Sequence, residues 1–220
     1  MIDILYEDNH IIVCYKAKGI LSQADGSSIP DMLTILKKYI KDKYNKPGDV
    51  YLGLVHRLDI NTSGVMVFAR TSKAASRLSA DISKHNFKKK YYAYVEGKLK
   101  LNVVEELNHN LLKDEKNKKA YVNENGLPAK LEYKCIKNIV INNCDVSIVD
   151  ITLFTGRFHQ IRCQFSSIGH PLYGDKKYGS KHNIKYEEFP LEAYSLGFIH
   201  PTLKKWMFFE KTNDINLIKK

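Results

Sequence analysis

The sequence predicts an α+β protein with a mixed, mostly antiparallel sheet flanked by helices. Strand-like stretches outnumber helix-like ones and do not alternate regularly with them, which disfavours a doubly wound parallel fold. A hydrophobic fraction of 44% and a charged fraction of 27% over 220 residues are those of a globular chain with a substantial core. The length suits one domain, or two small subdomains sharing a sheet, and no internal repeat or low-complexity segment is present.

Residues 3–16 read as two short strands around the turn Glu7-Asp8-Asn9-His10, and Lys16-Ala17-Lys18-Gly19 as a loop. Ser28-Ile29-Pro30 starts a helix, with Pro30 in its first turn and Leu33, Leu36 and Ile40 at core spacing. After a polar connection containing Pro47-Gly48, VHRLDINTSGVMVFAR (55–70) reads as strand, turn and strand. A second helix over roughly 72–85 puts Ala74, Leu78 and Ile82 on one face. KKKYYAYVEG (88–97) alternates as a strand, with Tyr91, Ala93 and Val95 on one side and Tyr92, Tyr94 and Glu96 on the other. From about 101 to 130 the chain turns polar and charged, which predicts a surface excursion, a hairpin or an insertion. Strands return at 129–136 and 145–154, and a helix then fits Phe158, Ile161, Phe165 and Ile168, with Gly169 as its stop. A last strand is expected around Trp206 to Glu210.

Lysine and arginine number 35 against 24 acidic residues, a formal net charge of +11. That balance suits a polyanionic partner, with fourteen tyrosines as candidate base-stacking surfaces. There is no apolar run of membrane-spanning length, and MIDILYEDNH has neither the basic nor the apolar region of a secretory signal, so a cytoplasmic protein is expected. The cysteines Cys14, Cys135, Cys144 and Cys163 form no CxxC pair and read as free thiols. A zinc site would have to borrow distant histidines; His159 and Cys163 have i, i+4 spacing, but two ligands alone make no site, and no metal is expected.

The stretch 55–70 places Arg57 and Asp59 beside the turn Asn61-Thr62-Ser63-Gly64. An Asx-type turn with Gly64 at positive φ would account for the polar residues without any chemistry. Together with two other stretches, however, it resembles the RluA-type RNA pseudouridine synthases: HRLD-x-x-TSG here, K-x-Y-x-A-x-V-x-G in KKKYYAYVEG, and TGR-x-HQIR…GHP-x-x-GD-x-x-YG in TGRFHQIRCQFSSIGHPLYGDKKYG. ILYEDNHIIVCYKAKGILS and the late FIHP are similar to the family's opening and closing segments, so the likeness spans nearly the whole chain in the family's order. Ala17 stands where the opening loop usually has proline, and Ile60 where a basic residue is common.

The resemblance implies a pseudouridine-synthase fold with a central RNA-binding cleft. A single catalytic domain over 1–220 acting as a monomer is expected, without the separate N-terminal RNA-binding module that many relatives carry. The resemblance makes Asp59 the nucleophile that isomerises uridine in ribosomal RNA or tRNA, attacking C1′ or adding to C6; the residues leave both routes open. Arg162 is the implied partner that lowers the pKa of Asp59 and orients it, the alternative being a solvated helix arginine. Tyr91 is the implied residue against the target base. Arg57, Thr62, Arg157, His159 and Gln160 are the expected substrate-binding residues, Arg57 gripping phosphate or filling the space of a flipped uridine. His56, His159 and His170 are expected to hold backbone groups rather than to catalyse. The reaction implies no cofactor.

Two other readings fit the composition. One is an RNA-binding or chaperone module of the same fold with catalysis secondary. The other is an unrelated hydrolase using Asp59, which would need a second carboxylate; the three motif stretches offer Glu96 and Asp175.

Overall fold

The computed structural model describes residues 2–212, with Tyr186 described by its backbone alone. Strands β1 (Asp3–Glu7) and β2 (Ile11–Lys16) are followed by helix α1 (Met32–Lys43), β3 (Gly53–Leu54), β4 (Ser63–Ala69) and helix α2 (Ser72–Ser83). Then come β5 (Lys88–Glu96), β6 (Val104–Asp114), β7 (Lys119–Val122), β8 (Leu127–Ile141) and β9 (Cys144–Leu153). Helix α3 (Gln160–Ser167), two short 3-10 turns, β10 (Leu191–Ile199) and β11 (Trp206–Glu210) complete the order. The chain divides into two compact units, Met1–Lys88 with Ala193–Thr212, and Lys89–Glu192.

In the first unit the strand order is β1-β2-β4-β10, with β11 on β10 and β3 on β4. Every residue of β2 and β4 is buried, as central strands covered on both faces require. Ile11, Val13, Val65, Val67, Leu196 and Phe198 form the core against Ala74 and Leu78 of α2, each large side chain contributing about 1.5–3 kcal/mol. Asp31 caps α1 by accepting the Thr34 N–H at 3.1 Å, which leaves Pro30 outside the first turn, and Met32 rather than Leu33 joins Leu36 and Ile40 inside. Thr71 caps α2 in the same way through the Ala74 N–H.

In the second unit the order is β5-β9-β8-β6-β7, all antiparallel. Tyr91, Ala93 and Val95 turn inward as their alternation predicts. The stretch 101–130, expected as a polar excursion, is β6, β7 and the start of β8, with Leu107, Leu111 and Ala120 buried. A strand seals a core with every second residue, so two leucines among many charges suffice. The C-terminal helix is shorter than its 3, 4, 3 periodicity suggests. His159 lies in the left-handed region at φ 50, so helical geometry begins at Gln160 and Phe158 stays outside it, stacked on the His159 ring.

Gly64, the second residue of β4, has φ +141, and a Cβ there would lie 2.3 Å from the Ala193 carbonyl oxygen on β10. Gly64→Ala is therefore expected to destabilise by about 2–5 kcal/mol, combining backbone strain with overpacking. Urea unfolding of the purified variant measures this, and an unchanged midpoint would contradict it.

Candidate active site

The HRLD segment leaves β3 and reaches β4 through a turn closed by the Thr62 N–H donating to the Asp59 carbonyl at 3.0 Å. Arg57 is exposed, Leu58 buried, and Asp59 half-buried. The segment 16–22 holds this turn in place. The Gly19 N–H donates to the Ile60 carbonyl at 2.9 Å. The Ser22 hydroxyl accepts the Leu58 N–H at 3.0 Å and donates to the Leu58 carbonyl at 2.8 Å.

Lys16, fully buried, donates through Nζ to the carbonyls of Ile20 (2.8 Å), Ala17 (3.1 Å) and Ile60 (3.3 Å). Burial pushes its amine down to about 7, while the negative charge of Asp59 pulls the other way. Three carbonyl acceptors match the three N–H bonds of an ammonium, one more than a neutral amine offers, so the geometry favours the charged form. In the sequence Lys16 opens the loop Lys16-Ala17-Lys18-Gly19 and belongs to no chemical motif. Its one signal is a lysine ending the wholly buried run IIVCYK. Thr62 is 2% exposed, and its hydroxyl finds no hydrogen-bond partner among the described residues.

In the second unit, Tyr91 is buried on β5. Arg162 lies on α3 and is itself buried, not a solvated helix residue. Its Nε and Nη2 donate to the two carboxylate oxygens of Asp175 at 2.6 and 2.8 Å, a two-point pair. Its Nη1 donates to His159 Nε2 at 3.0 Å, and the guanidinium lies over the rings of Tyr178 and Phe189.

Because arginine can only donate, His159 Nε2 accepts, and the proton sits on Nδ1, which donates to the Tyr178 hydroxyl at 3.0 Å. Burial, then the charges of Arg162, Lys177 and Lys113, push His159 down to about 3. His159 is thus a neutral brace. Cys163 donates to the Ala120 carbonyl, so both members of the i, i+4 pair hold protein groups.

Gln160 accepts from Thr155 Oγ1 (2.8 Å) and the Arg157 N–H (3.0 Å), and donates to the Lys130 carbonyl (3.2 Å) and Gln164 Oε1 (3.0 Å). Arg157 Nε donates to the Pro128 carbonyl at 3.0 Å. His56 Nε2 accepts the Val67 N–H at 3.1 Å, and His170 Nδ1 lies 2.7 Å from the Glu96 carbonyl, so both histidines hold backbone groups.

Asp175→Ala leaves a buried guanidinium without its carboxylate and is expected to cost about 3–5 kcal/mol. Denaturant unfolding against Lys38→Ala, an exposed helix lysine, measures the difference; equal stabilities would show that the pair contributes nothing.

A family model described as RNA pseudouridylate synthase matches residues 10–167. An uncharacterized RNA pseudouridine synthase of Aquifex aeolicus is 34% identical over 218 residues, covering 95% of this chain and 68% of that protein. The ribosomal large subunit pseudouridine synthase C of Buchnera aphidicola is 34% identical over 223 residues, covering 97% of this chain and 68% of that protein. Among solved structures, human RNA pseudouridylate synthase domain containing 1 superposes with a TM-score of 0.75 at 22% identity, over 97% of this chain and 84% of that one, a likeness of fold. No described helix is long and apolar enough to cross a membrane. With its model matched over most of the sequence and two relatives at 34% identity along nearly its whole length, the chain belongs to the RNA pseudouridylate synthase family, enzymes that isomerise uridine in RNA.

Proposed function

We infer that this chain converts uridine of large-subunit ribosomal RNA to pseudouridine with Asp59 as nucleophile. The observation that carries the reading is the Asp59 turn itself. A half-buried carboxylate follows a buried leucine, and its loop is tied by Lys16, Gly19 and Ser22 to a neighbouring strand end. A turn built only to reverse the chain needs no buried ammonium beside it. Relatives named for the ribosomal large subunit support that RNA over tRNA.

In this reading the N1–C1′ bond breaks, the uracil turns while the enzyme holds it, and a C5–C1′ bond forms as C5 loses its proton and N1 gains one. Asp59 supplies the covalent hold, at C1′ or C6. Tyr91 stacks on the base and its hydroxyl assists proton removal. The Lys16 ammonium, coupled by charge to Asp59, favours its ionised form, while Arg162 is bound to Asp175. Arg57, exposed beside the nucleophile, grips phosphate or fills the vacated stack. Thr62 and Arg157 add substrate contacts, whereas His159 and Gln160 serve the substrate indirectly by bracing the loop.

Asp59→Asn keeps size and hydrogen bonding but loses the nucleophile, so turnover should fall by about 10³-fold or more with RNA affinity near wild type. Tritium release from C5-labelled uridine reads this directly. Near wild-type release would remove Asp59 as nucleophile, whereas absence of release from the unaltered protein would favour a binding module. Pseudouridine mapping of total RNA with and without the gene decides between ribosomal RNA and tRNA.

With a net charge of +11, RNA affinity should weaken steeply with salt. If roughly five phosphates are neutralised, log K falls against log[salt] with a slope of about −3 to −5. A slope near zero would exclude phosphate contact as the main source of affinity.

A further inference from the structure

The second unit brings together three metal-ligating side chains that the sequence keeps far apart. Glu96 ends β5 and pairs with Val146 of β9, so Cys144, two residues before Val146, projects from the same face on the diagonal. His182 arrives on the loop after the 3-10 turn Lys176–Tyr178. One ligand atom from each of Glu96, Cys144 and His182 lies within 4.8 Å of the other two, and His182 Nε2 is 4.0 Å from Glu96 Oε1. All three are half-buried.

The surroundings orient these ligands as the second layer of a metal site does. Ser180 Oγ donates to Glu96 Oε1 and accepts the N–H groups of Gly174 (2.8 Å) and His182 (3.2 Å), which couples the loop to the carboxylate. The His182 ring stacks on Tyr173, with centroids 4.8 Å apart and planes at 23°. Asn142 Nδ2 in turn donates to the Tyr173 hydroxyl at 3.1 Å.

We propose that Glu96, Cys144 and His182 bind one divalent cation of the zinc class. Sulfur, imidazole and carboxylate together suit zinc, and the thiol disfavours magnesium and calcium. Thiolate and carboxylate carry two negative charges, which a divalent ion neutralises. Zinc–ligand bonds of about 2.0–2.3 Å put tetrahedral ligand atoms about 3.3–3.8 Å apart, so the trio must contract by about 1 Å. The fourth position is left to water. Cys144 is the sole half-buried cysteine; Cys14, Cys135 and Cys163 are buried.

The ion would be structural. It would pin the loop that carries Asp175 and Tyr178, both of which contact Arg162, to the ends of β5 and β9.

The test uses the full chain, stripped with a chelator and kept reduced by a phosphine. Cobalt(II) titration should show one saturable site with a thiolate-to-metal charge-transfer band. Zinc should displace the cobalt and raise the melting temperature. Cys144→Ser should abolish the band, and Cys144→Ser and His182→Ala should each weaken zinc affinity by about 10-fold or more, with circular dichroism confirming that both fold. His85→Ala, in the first unit, should leave affinity unchanged. Absence of saturable micromolar binding, a cobalt spectrum without the thiolate band, or undiminished affinity in both ligand variants would each overturn the proposal.

Discussion

A guanidinium held out of water is the constraint around which much of the second unit is arranged. Arg162 is 7% exposed, and a charge so placed is tolerated only when its donors are met. Asp175 meets two of them, and the backbone around Asp175 is folded tightly to present it: its carbonyl accepts the N–H groups of Tyr178 and Ser180. Tyr178 places its ring beside the guanidinium and accepts the Ala120 N–H on its hydroxyl, which ties the turn to β7. His159 accepts from a third, and doing so fixes its tautomer. Helix, turn and strand edge are positioned together by one cation.

The first unit solves a similar problem with dipoles instead of a carboxylate. Lys16 is ringed by three carbonyl oxygens, so no acid is used up in neutralising it. The positive charge therefore remains to act on Asp59, an attraction that works against the desolvation of the amine. The difference has a functional consequence. An arginine locked to a carboxylate organises a scaffold, whereas an ammonium solvated by carbonyls both supports the turn and favours an ionised acid near it.

Helix α3 also shows why polar side chains can dominate an interior. Residues Gln160 to Phe165 are all buried, including two glutamines. Gln160 closes the 155–157 loop, and Gln164 Nε2 donates to the carbonyls of Leu107 and Ala129. These amides stitch β6 and β8 to the helix where apolar packing alone would leave strand-edge carbonyls unpaired. The polar stretch between 101 and 130 is thereby part of the unit's interior on one face and solvated on the other.

The sequence by itself determined the family and most local elements, but β6, β7 and β10 were not legible as strands. Alternation in KKKYYAYVEG identified which face of β5 is buried, and the buried faces of α1 and α2 followed from apolar spacing that needed only Leu33 exchanged for Met32. The motifs carried the reaction class because their residues stand close together along the chain. Tertiary structure alone decided the rest: that α3 begins after a left-handed His159, that Arg162 meets Asp175 thirteen residues on, that Lys16 lies under the Asp59 turn, and that Glu96, Cys144 and His182 converge. Periodicity reports which side of an element avoids water. It carries no information on which buried polar group will meet which, because those pairings are set by the satisfaction of donors and acceptors brought together across the fold.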